Sequence, residues 1–403
     1  MPWRELSVVE QREEFVKLAL VPGANKSELC RRFGISRDKG HKWIRRYLAE
    51  GRAGLVDRSR RPHRSPKRTE EAMEAEVLRV RADSNNAWGG RKIAHVLERS
   101  GAQEVPAAST ITQILRRHGK LEPRAHEHPG PYQRFERAQP NELWQMDFKG
   151  DFALARGRCH PLTIIDDHSR YALGIEACGT QQDRSTRERL VVVFRRYGLP
   201  DAMLMDNGSP WGDTGGGRFT AFSVWLLRLG VRVTHGRPYH PQTQGKDERL
   251  HRTLKAEVLS GRCFADLAQC QHAFDAWRHK YNHVRPHQAL ALATPNERYR
   301  PSRRAFPAVL PPIEYGPDDL VRKADQNGDI SFKGRHIRLG KPFRGQLVAL
   351  RPTSDDGAFS IHFCTQPIGS IDLSEAVSAC GLVDNAARCP QGPQAQQQRP
   401  QRD

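Results

Sequence analysis

The sequence predicts a multidomain α/β protein, with helix-turn-helix units at the N-terminus, a central mixed α/β domain and a small C-terminal β-barrel. The chain has 403 residues, which is more than one compact core normally holds. Apolar residues follow a helical period up to about residue 120, and strands alternate with helices from about 141 to 300. Short alternating strands follow from about residue 318. These three patterns define the predicted class.

The chain is strongly basic. It has 65 Lys and Arg residues against 46 Asp and Glu residues, which gives a formal charge of +19. Such an excess indicates a polyanionic partner, nucleic acid above all. Residues 31–70 alone carry +10, so the basicity is concentrated near the N-terminus. The stretch from Arg52 to Thr69 contains Pro62 and Pro66 and few apolar residues, and it fits either a solvated linker or an arm that follows phosphates.

Apolar runs and cysteine spacing exclude other classes of protein. The longest apolar run, Leu190 to Phe194, has five residues, far below the roughly 20 that span a bilayer. The first ten residues lack the apolar segment of a secretory signal. The eight cysteines include no C-x-x-C pair. We therefore expect a cytoplasmic protein with reduced thiols and no membrane partner.

Residues 1–60 are predicted to form a helix-turn-helix DNA-binding domain. A first helix follows Ser7, a second begins near Asn25, Gly34 supplies a tight turn, and Ser36 can cap a third helix. The N-terminal half of such a third helix reaches base edges and phosphates. The residues predicted to bind DNA are Ser36, Arg37, Lys39, His41 and Lys42. The alternative is a three-helix bundle with a basic solvated face.

A second helical region is predicted for residues 61–125. Three segments have helical periodicity, from Glu70 to Ala82, from Gly90 to Arg99 and from Ser109 to His118. The arrangement resembles a winged or helix-turn-helix DNA-binding unit. Plain scaffold helices are the alternative.

Three carboxylates of residues 141–300 lie where strands end and a helix begins. "LWQMDF" predicts a strand ending near Asp147, and "DAMLMDNG" predicts a buried strand ending at Asp206. A later helix carries Glu248 near its start. Three carboxylates converging from these elements form an all-oxygen site suited to magnesium or manganese. Each also has an ordinary alternative as a turn residue, a strand-end cap or an ion-pair partner of Arg252.

The helix that carries Glu248 has one face suited to a phosphate backbone. At 100° per residue, Glu248, Arg252 and Lys255 share a face opposite the apolar Leu250. This face presents one carboxylate together with two cations. Asp247 falls nearer the apolar stripe, and it is therefore the second choice for the third carboxylate.

Four motifs in this segment resemble those of one enzyme family. They are "WQMDF", "DNGSP", "RPYHPQTQGKDERLHRTLK" and "YNHVRPHQAL", all between Asn141 and Tyr299. Together they resemble the catalytic core of DDE transposases of the retroviral-integrase type, as found in bacterial insertion sequences. The resemblance implies a ribonuclease-H-like integrase core, with a mixed sheet flanked by helices. It places the family's two Asp and one Glu on Asp147, Asp206 and Glu248.

The chain departs from the family in one spacing. Between Asp206 and Glu248 lie 41 residues, somewhat more than is typical of the family. The Gly-rich segment "PWGDTGGGR" can hold the extra length in an outward bulge. This departure concerns the loop and leaves the assignment of the three carboxylates unchanged.

The resemblance implies a transposase that cleaves 3′ ends of an insertion element and joins them to target DNA, that is, DNA integration and recombination. It implies two Mg²⁺ or Mn²⁺ ions per site, with Asp147 bridging both ions, Asp206 binding one and Glu248 the other. Its partners would be double-stranded DNA and further copies of the chain, in the bacterial cytoplasm. Further residues expected near the DNA backbone are Lys246, Arg249, Arg252 and Lys255.

Two functional alternatives stay open. The first is a catalytically silent DNA-binding regulator derived from a transposase, and the second is a nuclease without strand transfer. Within "YNHVRPHQAL", Arg285 and His287 fit DNA contacts and structural roles equally well.

The C-terminal part of the chain is predicted to contain a small domain and a tail. Residues 318–378 show short alternating strands with turn signals at Asn327-Gly328 and Asp356-Gly357, which favour an SH3-like β-barrel. Its role is DNA contact or subunit contact. Residues 388–403 are rich in Gln and Pro and are expected to be disordered.

Overall fold

The computed structural model describes residues 6–59, 68–121, 136–206, 208, 211, 219–235 and 245–374. The predicted tail at 388–403 lies outside the described residues, as do the middle of the basic arm and most of the "PWGDTGGGR" segment. The chain divides into two compact units, Met1–Thr69 and Glu70–Asp403. The second helical region, the central domain and the C-terminal strands therefore belong to one unit.

The first unit contains the three predicted N-terminal helices. These are α1 (Val8–Ala19), α2 (Lys26–Arg32) and α3 (Arg37–Glu50), followed by a 3-10 turn at Gly51–Leu55. Side-chain oxygens of Ser7, Asn25 and Ser36 cap the three helices by accepting backbone N–H bonds. The apolar faces meet in a core that includes Phe15, Val16, Trp43, Ile44 and Leu55.

The second helical region also contains three helices. They are α4 (Glu71–Asp83), α5 (Gly90–Arg99) and α6 (Ala108–Arg117). Their core includes Val77, Trp88, Ile93, Ile111 and Leu115. Trp88 lies in the loop between α4 and α5 and is almost fully buried.

The central domain alternates strands and helices. Its strands are β1 (Trp144–Phe148), β2 (Phe152–Ala153), β3 (Arg158–Asp166), β4 (Ala172–Cys178), β5 (Ala202–Met205) and β6 (Arg232–His235). Its helices are α7 (Asp183–Tyr197), α8 (Ala221–Arg228), α9 (Gly245–Leu254), α10 (Leu267–His283) and α11 (Pro295–Arg298). A π-helical segment, Lys255–Leu259, directly continues α9.

The central sheet is mixed, as predicted, with strand order β4–β3–β1–β5–β6 and the short β2 beside β3. Strand β1 is antiparallel to β3 and parallel to β5, and β6 is parallel to β5. Helices α7 and α8 pack on one face of the sheet, and α9 and α10 pack on the other. Because β1 and β5 run in the same direction, their C-terminal ends lie at the same edge of the sheet.

The C-terminal strands do not show the predicted barrel. They are β7 (Leu320–Lys323), β8 (Asp329–Phe332), β9 (Arg335–Arg338), β10 (Leu347–Pro352), β11 (Ala358–Phe363) and β12 (Gln366–Asp372). The described residues form an open antiparallel sheet of order β12–β11–β10–β7 and a separate β8–β9 hairpin. Apolar residues of the hairpin, and Val224 and Leu227 of α8, pack into the same core as the sheet. The sheet therefore buries its apolar face without closing on itself.

Within the described ranges, no helix is both long and apolar enough to cross a bilayer. The six cysteines of that part, Cys30, Cys159, Cys178, Cys263, Cys270 and Cys364, are free thiols.

Candidate active site

The sheet and α9 bring the three predicted carboxylates to one region. Asp147 is the fourth residue of β1, Asp206 directly follows β5, and Glu248 lies in the first turn of α9. Asp147 and Asp206 are partly buried, whereas Glu248 is exposed. Because β1 and β5 are parallel neighbours, their terminal carboxylates share one sheet edge.

The charges of the three carboxylates affect one another. The pKa of Asp147 is raised to about 7, chiefly by burial, next by the charge of Asp206 and more weakly by the charge of Glu248. The hydrogen bond from the Phe148 backbone N–H acts in the opposite direction and lowers this pKa. Like charges disfavour ionisation, so the carboxylates of Asp206 and Glu248 add to the effect of burial on Asp147. Such a set favours a divalent cation, which would relieve the repulsion.

The three carboxylates fit a hard metal ion by their donor chemistry, although they are not assembled around a common point. Within the ranges that the structure describes, no group of three or more His, Cys, Asp and Glu side chains has the spacing of a metal-binding cluster. Carboxylate oxygens are the ligands that Mg²⁺ and Mn²⁺ prefer. To share an ion, the groups would have to approach one another more closely.

Asp206 is held by residues that the sequence did not indicate. Its Oδ1 accepts hydrogen bonds from Trp211 Nε1 and from the Gly208 backbone N–H, the latter at 3.1 Å. The Trp211 indole is buried and stacks on Phe148, with ring centroids 5.2 Å apart. His235 Nδ1 lies 2.9 Å from the Asp206 carbonyl oxygen. In the sequence, the one indication of a role for Trp211 is that it is an aromatic residue inside a Gly-rich segment.

His251 is a second residue that the sequence analysis missed. Its Nε2 lies 2.7 Å from Thr163 Oγ1, and its Nδ1 lies 3.9 Å from Asp147 Oδ2. Thr163 is the β3 partner of Asp147, and its hydroxyl donates to the Asp147 carbonyl at 3.1 Å. Burial and the charge of Lys149 lower the pKa of His251 to about 4, so the ring is neutral at pH 7. In the sequence, the indication for His251 is its spacing of three residues from Glu248, which makes the two side chains neighbours on the helix surface.

Asp247 is fully buried, which agrees with its position near the apolar stripe of α9. Thr163 Oγ1 lies 3.3 Å from its Oδ1, and its Oδ2 has no hydrogen-bond partner in the described part of the chain. Burial, and next the charge of Asp147, raise the pKa of Asp247 well above its usual range. Glu248, in contrast, is open to solvent. Of these two adjacent acids, Glu248 is therefore the one that is accessible from solvent.

The basic residues predicted on α9 differ in their surroundings. Arg249, Arg252 and Lys255 are exposed. Lys246 is partly buried and forms an ion pair with the buried Asp167. This pair gives Lys246 a structural role that the sequence did not indicate.

Asp166 ends β3, Asp167 begins the turn toward β4, and both are fully buried. Asp166 accepts bonds from the Asn141 backbone N–H at 2.7 Å and from Ser169 Oγ at 2.6 Å. Asp167 accepts bonds from Gln145 Nε2 at 2.8 Å and from the Lys246 ammonium. They stabilise the turn and tie it to β1 and α9.

The N-terminal half of α3 presents most of the residues predicted to bind DNA. The exposed ones are Ser36, Arg37, Lys39 and His41, while Lys42 is partly buried. Ser36 Oγ also caps the helix by accepting the Lys39 backbone N–H at 3.3 Å. Three cations, Arg12, Lys42 and Arg46, lie over the Trp43 ring at 3.9, 4.7 and 5.3 Å from its centroid.

Arg285 and His287 have buried positions that favour structural roles. Arg285 Nε donates to Glu257 Oε1 at 2.9 Å. His287 Nε2 lies 3.2 Å from the Tyr281 carbonyl oxygen, and burial lowers the pKa of its ring well below the usual range. Both side chains are less than one tenth exposed. Neither is therefore available to a DNA duplex on the surface of this structure.

Comparisons with protein families agree with this architecture. Models described as an integrase core domain match residues 137–241 and 229–295. The C-terminal domain of the IS481 family transposases matches residues 319–378. At the N-terminus, a helix-turn-helix domain matches residues 11–63 and a homeodomain-like domain matches residues 40–115. The chain thus has helix-turn-helix domains ahead of an integrase core.

Relatives include proteins of bacterial insertion elements. The uncharacterized 31.7 kDa protein of insertion element IS407 from Burkholderia multivorans is 28% identical over 235 residues, which cover 56% of this chain and 81% of the relative. The putative transposase of IS5376 from Geobacillus stearothermophilus is 23% identical over 251 residues, or 59% of this chain and 60% of the relative.

Solved structures with some similarity include retroviral integrases. The simian T-cell lymphotropic virus intasome in complex with a PP2A regulatory subunit is 16% identical, covers 71% of this chain and 91% of its own, and has a TM-score of 0.37. The HTLV-2 integrase catalytic core domain in complex with magnesium is 13% identical, covers 40% of this chain and 99% of its own, and has a TM-score of 0.30.

The family matches and the named relatives together lead to one conclusion. The chain contains an integrase core domain and the C-terminal domain of IS481 family transposases, and it is similar to proteins of bacterial insertion elements.

Proposed function

We propose that the protein is an active DNA transposase, which cleaves the 3′ ends of its insertion element and joins them to target DNA. The observation that carries the proposal is the placement of Asp147 near the end of β1, Asp206 directly after β5 and Glu248 in the first turn of α9, within an integrase core. Carboxylates at such positions are suited to hold the divalent cations that phosphodiester chemistry uses. The helix-turn-helix domains supply the DNA-binding part.

Asp147, Asp206 and Glu248 would hold two Mg²⁺ or Mn²⁺ ions. When bound, such ions activate a water or a 3′-OH for attack on phosphorus and stabilise the leaving oxygen. The side chains around them have separate tasks. Trp211 fixes the direction of the Asp206 carboxylate through its indole N–H.

The exposed face of α9 would lie along the DNA backbone. Glu248, Arg252 and Lys255 are all exposed on this helix, so the two cations can contact phosphates beside the carboxylate. His251, which is neutral at pH 7, lies between Thr163 and Asp147 and adds no charge to the site. Phosphates would therefore contact cationic side chains on the helix surface, beside the divalent ions that the carboxylates would hold at the sheet edge.

The element ends would be bound by α3 in the first unit. Arg37, Lys39 and His41 are exposed in its N-terminal half, where a recognition helix contacts base edges and phosphates. Joining two element ends to one target requires at least two active sites, so the working form would be a homo-multimer on DNA. The reaction would take place in the bacterial cytoplasm, where its DNA lies.

The experiment that tests this proposal compares amide variants of four acids. Asp147→Asn, Asp206→Asn and Glu248→Gln each remove a ligand charge and preserve side-chain size. We expect DNA binding to persist while 3′-end cleavage and joining fall together, by a factor on the order of a thousand. The assay uses labelled DNA from the inverted repeats that flank the gene, with magnesium present.

Asp247→Asn is the matched control, because it removes an adjacent carboxylate that is fully buried. We expect a much smaller loss of joining in this variant. If Asp247→Asn abolished joining and Glu248→Gln preserved it, the third ligand would be Asp247. If none of the four variants changed the reaction, or if the wild type bound the ends without cleaving them, the chain would be a DNA-binding regulator.

A further inference from the structure

Glu257 is a buried carboxylate that receives hydrogen bonds from three parts of the second unit. It lies in the π-helical segment that continues α9, and its side chain is 3% exposed. Its Oε1 accepts bonds from Trp88 Nε1 at 3.0 Å and from Arg285 Nε at 2.9 Å. Its Oε2 accepts a bond from Trp277 Nε1 at 2.8 Å. Both carboxylate oxygens of Glu257 thus accept at least one hydrogen bond.

The three donors connect the second helical region to the central domain. Trp88 comes from the loop between α4 and α5, Trp277 from α10, and Arg285 from the segment after α10. When a buried charged group loses a hydrogen-bond partner, its desolvation is no longer compensated and the folded state is destabilised. Each of these bonds is therefore costly to break. The position of the α4–α5 loop is therefore tied to the end of α9.

Other contacts hold the same loop against the same end of α9. Asn85 Nδ2 donates to the Ala256 carbonyl at 3.1 Å. Lys280 of α10 donates to the Asp83 carbonyl, and its ammonium lies 5.2 Å from the centroid of the Trp88 ring. The loop thus contacts the π-helical segment directly.

The other end of this helix carries Glu248. Glu248 and Glu257 lie nine residues apart on a continuous helical segment, or roughly 13 Å along its axis at 1.5 Å per residue. A rotation or shift at one end of such a short helix is transmitted to the other. Single-turn π segments inside helices also occur frequently at functional sites.

We infer that Glu257 is a positioning residue, which sets the placement of Glu248 according to how the second helical region docks on the central domain. The inference rests on the proposed function, because Glu248 is taken as a metal ligand. Docking of the helical region, which a homeodomain-like model matches, would then hold α9 in the position that the reaction requires. Glu257 acts through Glu248 and touches neither DNA nor metal.

The test compares three single changes in full-length protein. Trp88→Phe removes the bond from the helical region to Glu257 and keeps an aromatic ring. Trp277→Phe removes the donor to the other carboxylate oxygen of Glu257 from within the central domain, and it shows what a disturbed Glu257 does by itself. Arg99→Ala breaks the Arg99–Glu297 pair, which joins the helical region to α11 without touching Glu257.

Three quantities are measured for each variant: the dissociation constant for element-end DNA, the single-turnover rate of cleavage at saturating DNA, and hydrogen exchange of the amides in residues 245–254. We expect Trp88→Phe to lower the rate roughly tenfold, to change the dissociation constant less than twofold, and to speed exchange in α9. Arg99→Ala is the control and should leave the rate and the exchange in α9 within twofold of wild type. Trp277→Phe should lower the rate as well, because it leaves Oε2 of Glu257 without this donor.

A second variant tests whether Trp88 acts through Glu257. Glu257→Gln should lower the rate as Trp88→Phe does, and the double variant should be no slower than the slower single variant. Additive losses, an unchanged rate in Trp88→Phe, or an equal loss in Arg99→Ala would overturn the inference. If Glu257→Gln does not fold, the comparison of Trp88→Phe with Arg99→Ala decides.

Failure of the proposed function gives a different result. Wild type that binds end DNA and never cleaves it contradicts the transposase proposal, whatever the variants do. In that case the hydrogen-exchange measurement alone tests whether Glu257 couples the helical region to α9. Faster exchange of residues 245–254 in Trp88→Phe and not in Arg99→Ala supports the coupling, and equal exchange in both refutes it.

Discussion

Lys92, in the first turn of α5, is a cation whose charge is strongly opposed by its surroundings. The pKa of Lys92 is lowered to about 7, chiefly by burial and next by the charge of Arg285. The charge of Glu257 opposes this shift, and the charge of Arg249 adds slightly to it. The structure shows no ion pair to Lys92 among the residues it describes. Keeping this ammonium protonated below pH 7 therefore costs folding free energy.

We expect Lys92→Met to stabilise the second unit, in a pH-dependent way. The pKa of Lys92 is lower in the folded chain than its ordinary 10.5, so the unfolded chain binds more protons between about pH 7 and 10.5. In wild type, the contribution of Lys92 to stability is least favourable below pH 7 and improves as the pH rises through this window. The variant should gain on the order of 1 to 3 kcal/mol at pH 6 and little near pH 10.

Calorimetric unfolding at both pH values measures the effect. The control is Arg91→Met, which removes a neighbouring exposed cation and should change stability little at either pH. An equal gain for Lys92→Met at pH 6 and pH 10 would show that packing, and not charge, is responsible.

At the scale of single elements, α3 depends on close approach at Gly40. A Cβ at this position would lie 2.5 Å from Cys30 Sγ and 2.9 Å from the tip of the Phe15 ring. Both neighbours are buried side chains of the first unit, so they have little room to move. The helix that presents the predicted DNA-binding residues is thus fixed to α1 and α2 through a glycine.

Gly40→Ala should destabilise the first unit by about 1 to 3 kcal/mol, because overpacking forces Phe15 and Cys30 out of place. Thermal unfolding followed by circular dichroism would show a lower melting temperature for this unit. The matched variant is Arg37→Ala, three residues earlier on the exposed face. It should weaken binding of element-end DNA and leave the melting temperature unchanged. A melting temperature that is the same in Gly40→Ala and wild type would contradict the packing argument.

At the scale of the whole molecule, the excess of cations behind the net charge of +19 leads us to expect DNA binding that weakens as salt is added. Each phosphate that a cation neutralises releases condensed counterions, so affinity falls with salt at a slope that reports the number of contacts. The exposed cations of α3 and α9 lie on both sides of residue 70, in separate compact units. Both units therefore contribute to the slope that we expect for the full chain.

We expect Arg252→Ala to reduce the log–log salt slope of DNA binding by about one, because its exposed side chain contacts a phosphate in the proposed complex. Lys246→Ala is the contrasting variant. Its ammonium is paired with the buried Asp167, so its removal should lower the melting temperature and change the slope less. Binding titrations from low to moderate salt measure both. A larger slope change in Lys246→Ala than in Arg252→Ala would reverse the assignment of the two side chains.

The sequence by itself predicted the elements whose signals are local. Ser7, Asn25 and Ser36 cap the three N-terminal helices, since a cap needs only the next turn of the same helix. The strands that end at Asp147 and Asp206 and the helix that carries Glu248 were likewise predicted from short-range patterns and from the resemblance to integrase cores. Asp247 fell on the buried side of its helix for the same reason.

Contacts between distant residues were decided only by the tertiary structure. Trp88 and Glu257 are 169 residues apart in the chain, and Thr163 and His251 are 88 apart, so no periodicity or turn signal links either pair. Lys246 was predicted to face DNA, but the fold places a buried carboxylate beside it. The C-terminal strands show the same limit: their pattern predicts strands, while the packing of α8 and a hairpin on the sheet decides that they stay open. Local sequence determines which element forms, and long-range packing determines what each side chain meets.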